Sequence, residues 1–497
     1  MNLYDLVPYE SRPYRHCHPD RLWTIARLFG LLATHPAQAR VLEIGCGAGG
    51  NLVPMAMQMP DGQFMGIDLS ERAIADARTR IARFRVPNVT VEVCDILNIP
   101  ASLGRFDYIL CHGVYSWIPA PVRDALLAAI RRHLTPTGVA YVSYNVYPGW
   151  RLLEVTRDLM QVHARGFDDP LEQVEQAREF VKFAAQSAKS SDSAWSKTLQ
   201  EAAERMDVFG PEYFFHDFLA PHNSPVLLLD FVASAQKHQL RYLGDADVGQ
   251  MLGIYVPDAA RESLGKLAST QVGLEQYVDL VRGTTFRRTL LCHGEVDLNR
   301  KLSGTEVAEM YVSLRGKLAA ADPESGSADS MDFKTPEGAE VAITGPLVTT
   351  ALRHLHASAP RELSVIEMLD HARAQLGWND DSSRDEDLSD LGSGLVHAFS
   401  AEVIDLASRR RQACTEVSAQ PLSDSYARGL AAAGEKYTPN VRHETVGLDR
   451  FTSELLMLCD GSNDHAQIAD GLVAAAQAGR LNVQVDDVAQ TEPQAIR

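Results

Sequence analysis

The sequence predicts an α/β fold, in which a largely parallel sheet is covered by helices and is followed by helical insertions and a mainly α C-terminal region. Two observations predict it. Short apolar runs alternate with amphipathic segments over residues 41–144, which is typical of parallel strands joined by helices. A glycine-rich turn at residues 45–50 follows the first apolar run, at the point where the backbone of such a sheet approaches a ligand.

Each element up to residue 144 is predicted from the period of its apolar residues. The predicted strands lie at 41–45, 64–68, 89–94, 106–112 and 138–144, and the predicted helices lie at 21–34, near 49–58, at 70–83 and at 121–133. The carboxyl ends of parallel strands meet at one edge of the sheet, and we expect the functional site there.

The turn after the first strand indicates the kind of ligand. Glu43, Gly45, Gly47 and Gly49 follow the order E-x-G-x-G-x-G, whereas a dinucleotide fingerprint reads G-x-G-x-x-G. Asp68 ends the second strand, where an acid can accept hydrogen bonds from ribose hydroxyls. The pattern resembles motif I of the class I S-adenosylmethionine (SAM) methyltransferases, which implies SAM as cofactor and a seven-stranded, Rossmann-like methyltransferase domain.

The last two strands of such a sheet are predicted far beyond the fifth, at 241–243 and 286–293. The methyltransferase domain then comprises residues 1–160 and about 226–297, and residues of about 161–225 are a helical insertion that serves either as a cap or in dimerisation. A middle or regulatory region is expected at about 298–420, with a linker near 319–340. A winged-helix-like module is expected at about 421–497.

Net charge and cysteine spacing argue against several classes of protein. The formal net charge of -18 argues against a nucleic-acid partner, because phosphate contacts need a basic face. The 7 cysteines are scattered without a C-x-x-C pair, so we predict neither a disulfide framework nor a metal site. The sequence shows no signal-peptide pattern and no membrane span, and we expect a cytoplasmic protein without a membrane partner.

Further cofactor contacts are predicted around the same edge. Asp95, after the third strand, is placed to accept the adenine amine, with Ile96 against the purine face. Leu69 is assigned to the cofactor site as well. His112, at the end of the fourth strand, is assigned to SAM binding, while a role as a base and simple packing remain open for it.

An aromatic N-terminal segment completes the predicted cofactor site. Tyr9 and Tyr14 belong to this segment, which we expect to close over SAM as a lid that excludes water.

The methyl acceptor is expected beyond the fourth and fifth strands, where aromatic residues are frequent. The predicted catalytic residues are Tyr115, Trp117, Tyr144, Asn145, Tyr147 and Trp150. A dry aromatic wall favours a neutral lysine amine and stabilises a methylammonium product through cation–π contacts. Asn145 or a tyrosine hydroxyl is the expected acceptor of the amine proton. The alternative is that these rings only pack the insertion onto the sheet.

A closer resemblance rests on residues 4–19, 112–119, 143–150, 241–246 and 286–292. These segments resemble bacterial class I methyltransferases that carry a methyltransferase regulatory domain. That family includes dimeric protein-lysine N-methyltransferases of outer-membrane proteins, so the resemblance implies a protein or peptide substrate and a homodimer. The family commonly has a His-Glu pair in its second region, where this chain has His216 and Asp217.

Together these features predict a SAM-dependent N-methyltransferase that acts on lysine side chains of proteins. The extra domains, which are able to hold a polypeptide, and the acidic surface favour this function. Methylation of a small molecule or of a peptide natural product, at nitrogen or oxygen, is the enzymatic alternative. A non-catalytic SAM-binding regulator is the remaining hypothesis.

Overall fold

The computed structural model describes residue 7 and residues 9–300, 304–319, 329–336, 338–481, 483–485 and 488–490. Residues 1–6 and 8 of the aromatic N-terminal region, among them Tyr4, lie outside the described residues.

Seven strands form one sheet in the order β3-β2-β1-β4-β5-β7-β6. The strands are β1 (Arg40–Ile44), β2 (Gln63–Asp68), β3 (Val89–Val93), β4 (Phe106–Cys111), β5 (Leu134–Asn145), β6 (Leu240–Asp245) and β7 (Phe286–His293). Strands β1 to β5 pair in parallel, whereas β7 runs antiparallel to both β5 and β6. The predicted seven-stranded fold, with two late strands, is therefore confirmed.

Helices precede and connect the strands of this sheet. They are α1 (Pro19–Leu28), α2 (Leu52–Gln58), α3 (Glu71–Phe84), α4 (Ala120–His133), α5 (Trp150–Ala164), α6 (Pro170–Ala188), α7 (Ala194–Val208), α8 (Pro211–Phe214), α9 (Leu228–Lys237), α10 (Val248–Leu252), α11 (Asp258–Leu267) and α12 (Gln271–Arg282). Local sequence sets their ends: the Ser70 side chain, for example, accepts a hydrogen bond from the Ala73 amide and starts α3.

The helical insertion predicted at about 161–225 forms a small core of its own together with α5, which begins earlier, at Trp150. Helices α5 to α8 lead into a π-helix at Phe215–Leu219. Apolar residues of these helices, including Met160, Val174 and Phe214, are buried together. The insertion thus stands as a separate packing unit at the carboxyl edge of the sheet, beyond β5.

The middle region is a mixed α/β unit with β8 (Tyr311–Leu314), β9 (Lys317–Leu318), β10 (Ser330–Lys334), β11 (Glu340–Thr344), α13 (Pro346–Ser358), β12 (Leu363–Ser364), α14 (Val365–Leu376), α15 (Arg384–Ser400) and β13 (Ile404–Ala407). The linker predicted near 319–340 does not fit β10, which pairs antiparallel with β9 and β11. A short strand with alternating burial lies within a segment whose composition indicated a loop. The middle region shares one continuous core with α1 and the sheet.

The C-terminal module contains α16 (Ser425–Ala432), β14 (Tyr437–Pro439), β15 (Thr445–Gly447), α17 (Arg450–Leu458), α18 (His465–Gln477), β16 (Val483–Val485) and β17 (Val488–Gln490). Its β14–β15 hairpin faces the N-terminal segment: the Thr445 hydroxyl donates to the Pro13 carbonyl at 3.0 Å. Within the described part of the chain, no helix has both the length and the apolarity needed to cross a bilayer.

Candidate cofactor and acceptor site

Three glycines shape the turn after β1. Gly45, Gly47 and Gly49 have φ angles of 79°, 53° and 73°, which lie in the left-handed region that glycine adopts without steric cost. The Gly45 amide donates to the Ile67 carbonyl at 2.8 Å, and the Gly47 amide donates to Asp68 Oδ2 at 2.9 Å. The glycine turn and the acid at the end of β2 are thus one hydrogen-bonded unit.

Glu43 lies beneath this turn and is only 3% exposed. Its Oε1 accepts a hydrogen bond from Asn51 Nδ2 at 2.6 Å, while its Oε2 is buried without a partner among the described residues. Burial raises the pKa of Glu43 to about 8, the Asn51 hydrogen bond opposing the shift and the Asp68 charge adding to it. A buried acceptor without a donor fits a ligand that brings a cationic amino group, as SAM does.

We expect SAM binding to release a proton from Glu43. Glu43 is largely protonated near neutral pH because its pKa is about 8, and it must ionise to accept the cofactor's ammonium group. Affinity should therefore rise by roughly tenfold per pH unit between about pH 6 and 7. Calorimetry near pH 7 in buffers of different ionisation enthalpy should find about one proton released per SAM bound, and none with Glu43→Gln. Equal proton release in both proteins would contradict the role of Glu43.

The same pKa shift has a consequence for stability. The folded protein holds Glu43 at a pKa of about 8, above its ordinary value of 4.5. Because the folded pKa is the higher one, this contribution to stability is complete below about pH 4.5 and is lost as the pH rises through 8. The Glu43→Gln variant should lack this part of the pH dependence of unfolding.

The N-terminal segment lies across the glycine turn. Ser11 Oγ accepts the Gly50 amide at 2.7 Å, and the Tyr14 amide donates to Asn51 Oδ1 at 2.9 Å. The Tyr14 ring stacks on His112 with 3.8 Å between ring centroids. Burial raises the pKa of the Tyr14 hydroxyl and keeps it protonated. The structure therefore brings Tyr14, His112 and the cofactor turn together.

Tyr9 belongs to the same segment but lies farther out. It remains 43% exposed and meets the ring of His216 edge-on, with 5.4 Å between centroids. Its contribution to a lid over SAM stays a prediction.

Replacing Gly50 with alanine should displace this segment. An added Cβ would lie 2.0 Å from the Ser11 carbonyl oxygen, so the backbone of the segment must move. We expect SAM affinity to fall about tenfold, equivalent to about 1.4 kcal/mol, in calorimetric titrations. The matched control is Gly265→Ala, where an added Cβ meets no atom within 4 Å. An unchanged affinity in Gly50→Ala would show that the segment does not close the cofactor site.

The residues predicted to hold the rest of the nucleoside share the same edge of the sheet. Asp95 Oδ1 accepts the Leu97 amide at 3.0 Å and caps a short helical turn. Ile96 is half-buried and packs against a core that also includes Ile67. Leu69 is 60% exposed at the end of β2. These positions are compatible with the predicted cofactor contacts, which remain predictions.

Some of the predicted acceptor-side residues lie next to one another. Trp117 and Trp150 meet edge-on with 6.5 Å between centroids, and Trp150 lies 6.2 Å from the ring of Phe218 on the π-helix. Asn145 Nδ2 donates to Asn223 Oδ1 at 3.1 Å, so it is held in a fixed orientation. This aromatic wall, formed by Trp117, Trp150 and Phe218, joins the sheet edge to the insertion.

Other predicted catalytic residues are placed elsewhere. Tyr144 stacks on Phe231 at 4.1 Å, and its hydroxyl bonds with Thr289 Oγ1 at 2.7 Å inside a packed core. Tyr115 packs edge-on against the same Phe231 at 5.0 Å. Neighbouring strand residues point to opposite faces, so the side chain of Tyr144 lies on the face away from that of Asn145. This placement argues against direct contact of Tyr144 or Tyr115 with a methyl acceptor.

Hydrogen bonds orient the side chains of Tyr147 and His112, two further predicted site residues. The Tyr147 hydroxyl donates to Glu154 Oε1 at 2.7 Å. His112 Nδ1 shares a 2.9 Å hydrogen bond with the Tyr141 hydroxyl, and burial, together with the charge of Arg288, lowers the pKa of His112 to about 3. A neutral imidazole with so low a pKa is a weak base, which favours packing and cofactor contact over proton transfer.

Asn51, which the sequence did not single out, connects Glu43 beneath the glycine turn, the N-terminal segment and the C-terminal module. Asn51 Oδ1 accepts the Tyr14 amide and also His443 Nε2, at 2.8 Å, from the loop of the β14–β15 hairpin. A cavity of about 340 Å³ lies beside the Tyr14–His112 stack and is lined in part by Arg288, Glu444 and Thr445. The C-terminal module therefore reaches the edge of the cofactor site.

The sheet order, the glycine turn bonded to an acid, and the unpartnered Glu43 oxygen define a class I SAM-dependent methyltransferase. Three family descriptions match the chain: "Methyltransferase domain" at residues 41–138, "Predicted methyltransferase regulatory domain" at 210–293, and "PKMT, C-terminal winged helix domain" at 419–497. The prediction of a winged-helix-like C-terminal module is confirmed by the last match.

Relatives support the same assignment. An uncharacterized protein of Rickettsia prowazekii is 29% identical over 97% of this chain and 87% of its own length. A second one is 35% identical over 48% of this chain and 96% of its own length. The solved structure of PKMT2 from Rickettsia typhi in complex with AdoHcy is 26% identical, with a TM-score of 0.84 over 98% of this chain and 96% of that chain.

The chain belongs to the bacterial class I SAM-dependent methyltransferases that carry a methyltransferase regulatory domain, and SAM is its cofactor. The residues around the glycine turn fit that cofactor. Glu43 offers a free buried acceptor, and a Cβ added at Gly47 would meet only Ser11 Oγ, at 3.7 Å, which indicates open space above the turn.

Proposed function

We propose that this enzyme transfers the methyl group of SAM to the ε-amino group of lysine in a polypeptide. The observation that carries the proposal is the structural similarity to PKMT2 across 98% of this chain. The letters PKMT abbreviate protein lysine methyltransferase. The likeness extends well beyond the methyltransferase domain, into the insertion, the middle region and the winged-helix module. A small-molecule acceptor would not require these additional parts.

The geometry beyond β4 and β5 supports an amine acceptor. Methyl transfer is an in-line displacement, and its rate depends mainly on how well the acceptor atom is positioned and desolvated. Trp117, the half-buried member of the aromatic wall, can shield a neutral amine from water and then stabilise the methylammonium product, whereas Trp150 and Phe218 are buried. Asn145 is buried at the same edge and has a fixed amide.

We also propose a class of protein substrate and an oligomeric state. An outer-membrane protein, met as a polypeptide segment, is the substrate that the family resemblance favours. A homodimer is the assembly that it favours, with the helical insertion as its contact surface. Burial of the insertion's own core leaves large apolar residues such as Phe183, Trp195 and Val208 exposed, at 66%, 52% and 73%, which is consistent with a covered face.

The proposed function is tested by methyl transfer from labelled SAM into a bacterial lysate that is afterwards separated into protein and small-molecule fractions. We expect label in protein, mapped to lysine by mass spectrometry, and none with Asp68→Ala. Label confined to small molecules would replace this function by metabolite methylation. SAM binding without any transfer would favour a regulator.

A further inference from the structure

The π-helix at Phe215–Leu219 lies at the boundary between the insertion and the candidate site. A π-helical turn is costly, and such turns are frequent at functional sites. His216 Nε2 bonds with the Val7 carbonyl at 2.6 Å, and the His216 ring contacts Tyr9. Phe218 contacts Trp150 of the aromatic wall. The turn thus touches both the N-terminal segment and the acceptor side.

Asp217 lies between these two contacts. Its side chain is half-buried, and its carboxylate accepts no hydrogen bond from the part of the chain that the structure describes. Arg157 on α5 donates to the backbone carbonyls of Asp217 and Phe218, at 3.2 and 3.0 Å, rather than to the carboxylate. A half-buried carboxylate that accepts no hydrogen bond from the described residues is available to a cation.

The groups that face Asp217 come from several elements. The negative charge of Asp217 helps to raise the pKa values of Tyr9 and Tyr14 in the N-terminal segment and of Tyr213 in α8. The positive charge of Arg157 lowers the pKa of Asp217. Burial raises the pKa of Asp217 to about 7, with Arg157 opposing the shift. His216 is kept neutral because burial lowers its pKa. Near neutral pH the Asp217 carboxyl group can therefore both release and hold a proton.

We propose that Asp217 is a catalytic residue that binds the ε-ammonium group of the substrate lysine and removes its proton before methyl transfer. The proposal rests on the proposed function. It assigns to the region matched by the regulatory-domain description, residues 210–293, a direct part in the active site.

The proton and electron balance is simple. An N–H bond of the lysine ammonium breaks, and the proton moves to a carboxylate oxygen of Asp217. The freed nitrogen lone pair forms the new N–C bond while the C–S bond of the cofactor breaks and its electron pair stays on sulfur. The methylated lysine leaves as an ammonium ion, and Asp217 returns its proton to water.

The test compares the full-length enzyme with Asp217→Asn and Asp217→Glu. The probe is the protein fraction of the lysate at fixed concentration, with initial rates measured from about pH 5.5 to 8.5. We expect Asp217→Asn to lose about 100-fold or more in rate, with SAM affinity by calorimetry unchanged, and Asp217→Glu to recover part of the rate. The wild-type rate should level off above about pH 7, whereas the Asp217→Asn rate should keep rising about tenfold per unit. Asp230→Asn, an exposed acid on α9, is the matched control.

Two results would overturn the role of Asp217. One is a wild-type rate and pH profile in Asp217→Asn. The other is a loss of SAM affinity in Asp217→Asn that Asp217→Glu does not restore, which would assign a structural role. A wild-type enzyme that labels no protein at all would instead refute the proposed function, before any variant is compared.

Discussion

Replacing Arg287 with methionine is expected to lower the free energy of unfolding by about 3–5 kcal/mol, or to prevent folding. Arg287 on β7 has no exposed surface and pairs with three equally buried carboxylates, Asp245 at 3.4 Å and Glu275 and Asp279 at 2.8 Å each. The guanidinium group therefore holds β6, β7 and α12 together. Methionine fills much of the same volume but leaves the carboxylates without a counter-charge.

The loss of stability expected for Arg287→Met should depend on pH. Burial already raises the pKa values of Asp245 and Glu275, with Arg287 opposing the rise. Folded pKa values above the unfolded ones give a contribution to stability that is present at low pH and is lost as the pH rises through the folded values. Without Arg287 these pKa values rise further, so the destabilisation should be larger near pH 7 than near pH 5.

Urea unfolding at both pH values measures this difference. Arg282→Met is the matched control, because this exposed guanidinium on α12 lies over the Tyr255 ring at 4.5 Å, outside the buried cluster. An Arg287→Met variant as stable as this control at pH 7 would show that the buried cluster contributes little to folding.

Sequence periodicity was sufficient for the sheet because each strand carries its own signal. The five early strands alternate with helices in a short span, and the late strand β7 contains the apolar run Leu290-Leu291-Cys292. Local signals were weaker in the middle region. There β10 is only 5 residues long and adjoins Gly- and Ser-rich sequence, so composition indicated a linker.

The candidate site could be predicted only where its residues follow one another in the chain. Motif I and Asp68 lie within one β-α-β unit, and their spacing is itself the signal. The bond between His443 and Asn51 spans 392 positions, and no local pattern encodes such a contact. Tyr144 shows the converse limit: its place beside Asn145 in an aromatic-rich run predicts a shared site, whereas strand alternation puts the two side chains on opposite faces.

Replacing Asp68 with alanine is expected to weaken SAM binding by at least about 100-fold, close to 3 kcal/mol. Asp68 Oδ2 accepts the Gly47 amide and Oδ1 accepts the Ser70 amide, both at 2.9 Å. The alanine variant loses the acid expected to bind the ribose hydroxyls. It also leaves the Gly47 amide of the glycine turn and the Ser70 amide at the start of α3 without their acceptor. A hydrogen bond to a charged group contributes about 1.5–3 kcal/mol, so loss of the hydrogen bonds expected from the two ribose hydroxyls accounts for the expected effect.

Calorimetric titration with SAM measures the loss, and Asp76→Ala, an exposed acid on α3, is the control of equal charge. An affinity within about threefold of the wild-type value would exclude Asp68 as the principal ribose ligand. Because Asp68 is predicted to contact the cofactor, we expect its variant to lose transfer to every acceptor in proportion to bound SAM. Asp217→Asn should lose transfer at saturating SAM. The two variants therefore separate cofactor binding from lysine deprotonation within one active site.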